Sequence, residues 1–219
     1  MIKITDFPKL ESPFARELNK KDEYVVTDKI AEGMEWVFAD KNVLATEKIH
    51  GTCCAAVIEN GVVTSLWNRA NRINFIGGTL SKALTEGVNN AFAKERFVME
   101  DGIHWGELIG PRIQQNEYNL QEHEWLPFET YVKKHLAYKS WHKYPKTYEN
   151  IRDWFMKTVE EGGIFSLLMK KRGIDQKPEG IVFHAPDGRM AKLRLDMFDF
   201  WKGKRHKDGE YVKKKGDDE

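Results

Sequence analysis

The sequence predicts an α+β fold in which mainly antiparallel sheets are flanked by helices. Two observations carry that prediction. Runs of β-branched residues flank short turn signals at Asn60-Gly61 and again at Ala185-Pro186-Asp187-Gly188. Between these hairpins the pattern changes to apolar residues at helical spacing, then returns to strands.

Taken in order, Trp36 to Ala39 and Val43 to Thr46 read as short strands around an Asp40-Lys41 turn. Cys53 to Glu59 and Val62 to Trp67 form a hairpin on a two-residue type I′ turn, whose two central positions need the positive φ that Asn and Gly tolerate. Thr79 to Phe92 carries Leu80, Ala83, Leu84, Val88 and Ala91 at helical spacing. Ile103 to Ile109 is a strand that ends at Gly110-Pro111. Phe128 to Tyr138 and Tyr148 to Val159 read as helices, with Gly162-Gly163 as a stop. Gly180 to His184 and Met190 to Leu195 form the second hairpin, with Pro and Gly at favoured positions of a type I turn. If Ala185 and Gly188 close it, Glu179 lies opposite Arg194 and Ile181 opposite Lys192, which sets Glu179, Lys192 and Arg194 on one face. A slip of one residue would carry Glu179 away from both cations, and a surface ion pair on a half-exposed sheet is the other reading.

Composition sets the outer bounds. A chain of 219 residues, 41% apolar with seven tryptophans, can build a sizeable core, and a single domain over residues 1–201 is the simplest organisation. Residues 202–219 read as a polar, mixed-charge tail, expected to be mobile. Charged residues make up 32% of the chain but cancel to +1, so a nucleic-acid partner would have to be met by local patches. The two cysteines, Cys53 and Cys54, are neighbours that a strand would point to opposite faces, a reduced intracellular pattern. With no apolar run of the ~18 residues that a spanning helix needs, a soluble, cytoplasmic protein is expected.

Lys48 stands in Thr46-Glu47-Lys48-Ile49-His50-Gly51-Thr52, in the loop that feeds the first hairpin. Alone, a lysine with a glycine three residues later also fits a solvated surface. Three further elements follow in order: Gly106-Glu107-Leu108-Ile109-Gly110, Glu179-Gly180-Ile181-Val182 and Lys192-Leu193-Arg194. This order resembles motifs I, III, IV and V of the covalent nucleotidyltransferase superfamily. Lys-Ile-His-Gly-Thr and the run from Trp105 to Pro111 are similar to the bacteriophage RNA ligase 2 and RNA-editing ligase branch. DNA ligases and capping enzymes usually carry Asp where this chain has His50.

The resemblance covers residues 35–200 and has two departures. Cys53 stands where the phage type has Asn, and motif V reads Lys-x-Arg instead of Lys-x-Lys, a fixed fork in place of a point charge. Motif IIIa, which supplies an aromatic to stack on the base, is not legible; Trp125 and Phe128 are candidates, with core packing the alternative for each.

The resemblance implies a nucleotidyltransferase (ATP-grasp-like ligase) domain, here without an OB-fold, that uses ATP as AMP donor and Mg²⁺ or Mn²⁺. It implies Lys48 as nucleophile, with Lys192 and Arg194 stabilising charge on the phosphate and favouring the neutral amine. It implies Glu179 as metal ligand, Glu107 as acceptor from ribose hydroxyls, and Arg69 as a ribose and phosphate contact. Glu47 and Gly51 belong to the same nucleotide-binding turn. His50 is either an active-site residue, as in the phage branch, or a loop histidine that orders the turn.

The implied reaction has three steps. Lys48 becomes adenylylated with loss of pyrophosphate, AMP moves to an RNA 5′-phosphate, and an RNA 3′-hydroxyl displaces AMP. From the residues themselves, Tyr131 to Thr147 interleaves Lys133, Lys134, Lys139, Lys143 and Lys146 with Tyr131, Tyr138, Trp141 and Tyr144. That stretch is either an RNA surface of cations and stacking rings or a solvated helix end whose aromatics pack inward. Two rival functions stand beside RNA joining. One is another nucleotidyltransferase, a DNA ligase or RNA guanylyltransferase; the other is an RNA-binding module without turnover.

Overall fold

The structure, a computed structural model, describes residues 4–74, 77–98, 100–143 and 145–205. Among the described residues ten strands form three sheets, and every strand pair in them is antiparallel. A two-stranded sheet pairs β1 (Phe14–Leu18) with β2 (Tyr24–Ile30). A three-stranded sheet has the order β10-β9-β3, built from β3 (Leu44–Lys48), β9 (Gly180–His184) and β10 (Met190–Arg194). A five-stranded sheet has the order β6-β5-β4-β7-β8. Its strands are β4 (Thr52–Glu59), β5 (Val62–Asn68), β6 (Asn71–Ile73), β7 (Gly102–Ile109) and β8 (Glu124–Pro127). Helices α1 (Trp36–Ala39), α2 (Thr79–Ala93), α3 (Lys133–His135), α4 (Tyr148–Met156) and α5 (Leu167–Lys170) flank them.

The first hairpin forms for the reason the sequence gives. Asn60 and Gly61 both take positive φ, 55° and 69°, and Asp101 fixes the turn by accepting from both of their N–H groups at 3.0 Å. Behind it, α2 lays Ala83, Leu84, Val88 and Ala91 against Cys54, Ala56, Ile58, Leu66, Leu108 and Trp125. Each fully buried side chain of Leu or Val size contributes about 1.5–3 kcal/mol to holding that helix on the sheet.

The back of the three-stranded sheet, Ala45, Ile181, Phe183, Ala191 and Leu193, packs on Trp36, Trp141, Trp154, Phe155 and Phe198. A third cluster, with Ile49, Ile109, Leu126, Val132, Leu136 and Leu168, lies under the turn that joins the two sheets. Because side chains alternate along a strand, these cores leave the opposite row of each sheet facing a cleft between them.

Several expectations are corrected. Trp36 to Ala39 is a turn of helix, not a strand; four residues are too few to separate the two periods, and burial of Trp36 and Val37 decides it. The helix expected over Phe128 to Tyr138 stops at His135, after a π-helical turn over Phe128–Val132. Beyond it the backbone pairs with the open edge of β3, Glu47 N–H donating to Leu136 and Tyr138 N–H to Ala45, each at 2.8 Å. The second hairpin closes one residue wider than expected. Gly188 takes φ +91° and Ala185 N–H donates to the Arg189 carbonyl at 2.9 Å, so Arg194 faces Gly180 and Lys192 faces Val182.

The helix beginning at Tyr148 is capped by Thr147 and ends at Met156, short of the expected Val159. Among the described residues, no helix is long and apolar enough to cross a membrane. Most of the expected polar tail, residues 206–219, lies outside the described residues, as does Tyr144.

Candidate active site

Lys48 is the last residue of β3, and Thr52 is the first of β4. The three residues between them carry the chain from one sheet to the other. Ile49, 3% exposed, anchors the turn in the third core cluster. Gly51 is needed for close approach: a Cβ there would lie 2.8 Å from Glu107 Cγ and from Ile109 Cγ2 and would overlap the Leu108 carbonyl. The turn therefore sets Lys48 at the junction of the sheets, against β7.

A cleft of about 360 Å³ opens there, within the range of small-molecule sites. Its lining is of two kinds: Phe7, Phe128, Val132, Val182 and Met190 are apolar, while Lys48, Arg69, Glu107 and Lys192 are charged. The three-stranded sheet contributes Thr46, Lys48, Val182, His184, Met190 and Lys192, one alternating row across three paired strands.

Glu179 reaches Lys48. The carboxylate Oε2 lies 2.6 Å from Lys48 Nζ, although the shifted register sets Gly180, not Glu179, opposite both Lys48 and Arg194. The side chains are 22% and 12% exposed, so the pair is sheltered; Lys48 lines the cleft and Glu179 lines a neighbouring cavity. Gly180 allows this approach, since a Cβ there would strike the Leu193 carbonyl and come within 2.7 Å of Arg194 Cα.

Glu107 projects from the middle of β7, between Cys53 on β4 and Leu126 on β8. Burial pushes its carboxyl up to about 8; Lys48 and the Gly51 N–H oppose that rise, and Glu179 adds to it. His184 shares the cleft wall with Thr46, whose hydroxyl lies 3.0 Å from Nε2. Burial lowers the His184 pKa to about 4, so the ring is neutral near pH 7.

Other candidate residues lie elsewhere. Arg194 is 5% exposed and turned to Asp196, Nε to Oδ1 at 2.8 Å, and it does not line the cleft. Glu47 gives the cleft its main chain, but its carboxylate is on the far side of β3. There it accepts from Ser166 Oγ at 2.5 Å and from the Leu168 N–H at 2.9 Å, capping α5. His50 borders a separate cavity of about 210 Å³ that Glu179 also lines. Its Nδ1 is 2.7 Å from Glu117 Oε2, and its N–H donates to the Tyr118 hydroxyl at 2.9 Å. Trp125 is fully buried, whereas Phe128 lines the cleft.

In the lysine-rich stretch Tyr131, Tyr138 and Trp141 are 8%, 4% and 1% exposed, so these rings pack inward and offer no stacking surface. The structure adds residues that sequence reasoning missed. Phe7, Pro8, Lys9 and Leu10 line the cleft, and a short irregular segment has no periodicity to reveal it.

The sequence model described as RNA ligase matches residues 41–201. No curated protein matches the chain. Similar solved structures include RNA ligases from Naegleria gruberi. A point mutant with ATP and Mn has 16% identity and a TM-score of 0.48, covering 84% of this chain and 59% of that one. A second mutant with ATP and Mn has 16% identity and a TM-score of 0.49, covering 86% and 60%. The ligase with PPi has 16% identity and a TM-score of 0.45, covering 86% and 61%. The chain thus spans about three fifths of the length of these ligases.

Proposed function

This chain belongs to the RNA ligase family, and from that premise we propose that it joins RNA 5′-phosphate and 3′-hydroxyl ends with ATP, through AMP carried on Lys48. The observation that carries the reading is the Lys48–Glu179 contact of 2.6 Å beside a cleft lined by both apolar and charged side chains. A nucleotide presents the same two kinds of surface. Phe128 and Val182 are the surfaces for the base, Glu107 and Arg69 serve the ribose, and Lys192 with Arg69 meets the phosphates.

Lys48 Nζ attacks the α-phosphorus, a P–N bond forms, and the bond to pyrophosphate breaks. An oxygen of the RNA 5′-phosphate then attacks the same phosphorus and Lys48 leaves. Last, the 3′-hydroxyl attacks the activated RNA phosphate, AMP departs, and the hydroxyl proton is lost to solvent or a base. Lys192 acts by charge, and the cleft acts by holding the reacting groups in line, which supplies much of the acceleration in nucleotidyl transfer.

A divalent cation fits this donor set. Among the described residues no three His, Cys, Asp or Glu side chains form a cage, and Mg²⁺ commonly binds through one or two carboxylates plus substrate phosphates. Glu179 is the carboxylate in reach of the phosphates, for Mg²⁺ or Mn²⁺. When bound, the ion would supply positive charge to the phosphate oxygens, and Glu179 would hold it. The adjacent free thiols Cys53 and Cys54 and the use of ATP support a cytoplasmic setting.

Supplying labelled ATP or GTP with nicked or single-stranded RNA or DNA tests the substrate classes. Label on the protein from ATP alone, and sealing only where RNA supplies the ends, is the expected pattern. Transfer of GMP, or sealing of DNA with no need for RNA, would overturn it.

A further inference from the structure

The segment before β1 runs across the cleft from one sheet to the other. Its root is buried at Ser12, Pro13 and Phe14. Beside that root Glu11 pairs in parallel with Ala191, and its carbonyl accepts from the Lys192 N–H at 2.8 Å. Beyond Glu11, Thr5, Asp6, Pro8 and Lys9 are exposed, and Phe7 and Leu10 are half-buried. At the opposite sheet Asp6 Oδ2 accepts from Arg69 Nη2 at 3.0 Å and Nε at 3.2 Å, and the Phe7 carbonyl accepts from Arg69 Nη2 at 3.0 Å.

Phe7 points inward. Its ring centroid is 5.3 Å from that of Phe128 and 5.3 Å from that of Trp105. On its other side is a second cavity of about 240 Å³, and this cavity and the cleft share Phe7, Phe128, His184 and Met190 as walls. Phe7 is thus one of the four side chains between the two cavities.

We propose that residues 6–10 are a strap that occupies part of the nucleotide cleft in the empty protein and lifts when nucleotide binds. The proposal rests on the nucleotide reading of the cleft. Two of its residues hold groups that a nucleotide would use. The Asp6 carboxylate sits on Arg69, where it competes with a phosphate or ribose oxygen and repels the phosphate charge. Phe7 packs on Phe128, the aromatic available to a base.

The fastening suits exchange. The Asp6–Arg69 ion pair is exposed and Phe7 is held by ring contacts, while the buried root lets the strap swing without breaking a sheet. Since Lys192 is tied by its main chain to Glu11, the strap stays tethered beside the phosphate end when it lifts.

Equilibrium binding of AMP to the full chain tests the competition. Asp6→Asn and Phe7→Ala should each tighten AMP binding, by roughly five-fold, the scale of one exposed ion pair or one ring contact. Amide hydrogen exchange supplies a second readout: Phe7, Lys9 and Leu10 should exchange faster in the AMP-saturated protein. Weaker or unchanged AMP binding in both variants, or slower exchange with AMP bound, would make the strap a wall of the site and overturn the proposal. Wild-type lysyl-AMP labelling from ATP separates the two levels. Label with unchanged variants sinks the strap alone, whereas no label and no AMP binding sinks the nucleotide reading and the strap with it.

Discussion

Glu47 and Lys48 are neighbours that β3 sends to opposite faces, one to a helix cap and the other to the cleft. Burial pushes the Glu47 carboxyl from 4.5 to about 7, against hydrogen bonds from Ser166 and Leu168. The fold therefore binds that proton more tightly than the unfolded chain does. The stability it contributes is complete below about 4.5 and is lost as pH rises to about 7. At 1.36 kcal/mol per pH unit the loss is about 3 kcal/mol. Urea unfolding of wild type and Glu47→Gln from pH 5 to 8 should show wild type losing ground to the variant as pH rises; parallel curves would contradict this. Lys48, Glu107, Glu179 and Lys192 were legible as residue types at motif spacing. The inward turn of Arg194 to Asp196 was not, because alternation gives a face but not a partner.

Among elements, the hairpin of β9 and β10 sets the site, and its turn sets the hairpin. Pro186 and Gly188 were legible as a turn, but whether it closes at Gly188 or at Arg189 depends on one left-handed glycine, and one residue shifts the whole register. The carboxylate of Glu179 still reaches Lys48 because it precedes the strand and is not bound by its alternation. Gly180 is the tight point. Gly180→Ala forces its Cβ against β10, a strain of about 1–3 kcal/mol in unfolding measurements. The same displacement of Glu179 should slow lysine adenylylation by about 100-fold, the scale of a misplacement near 1 Å. Adenylylation at the wild-type rate in the folded variant would show that the glycine serves stability only.

At the scale of the molecule, the α+β class and the antiparallel pairing were legible from hairpin and helix periods. The division into two sheets facing a cleft was not, since it depends on which rows the cores bury. Glu124 ties distant parts together, accepting from Lys94 at 3.0 Å, Arg96 at 2.8 Å and Arg172 at 2.9 Å. Burial raises its carboxyl, but Arg96 and Lys94 together overcome that and hold it below the usual range. Its contribution is present above the unfolded carboxylate pKa and is lost as pH falls through the depressed one. Glu124→Gln should cost about 1–3 kcal/mol at pH 7, less in acid, and leave adenylylation of the folded protein unchanged. A loss of adenylylation without a loss of stability would contradict that assignment. The central claim is the covalent chemistry of Lys48, and the direct measurement is incubation with Mg²⁺ and α-labelled ATP, followed by denaturation. Label should stay on the wild-type protein and be absent from Lys48→Ala; an unlabelled wild type, or a labelled Lys48→Ala, would contradict the account.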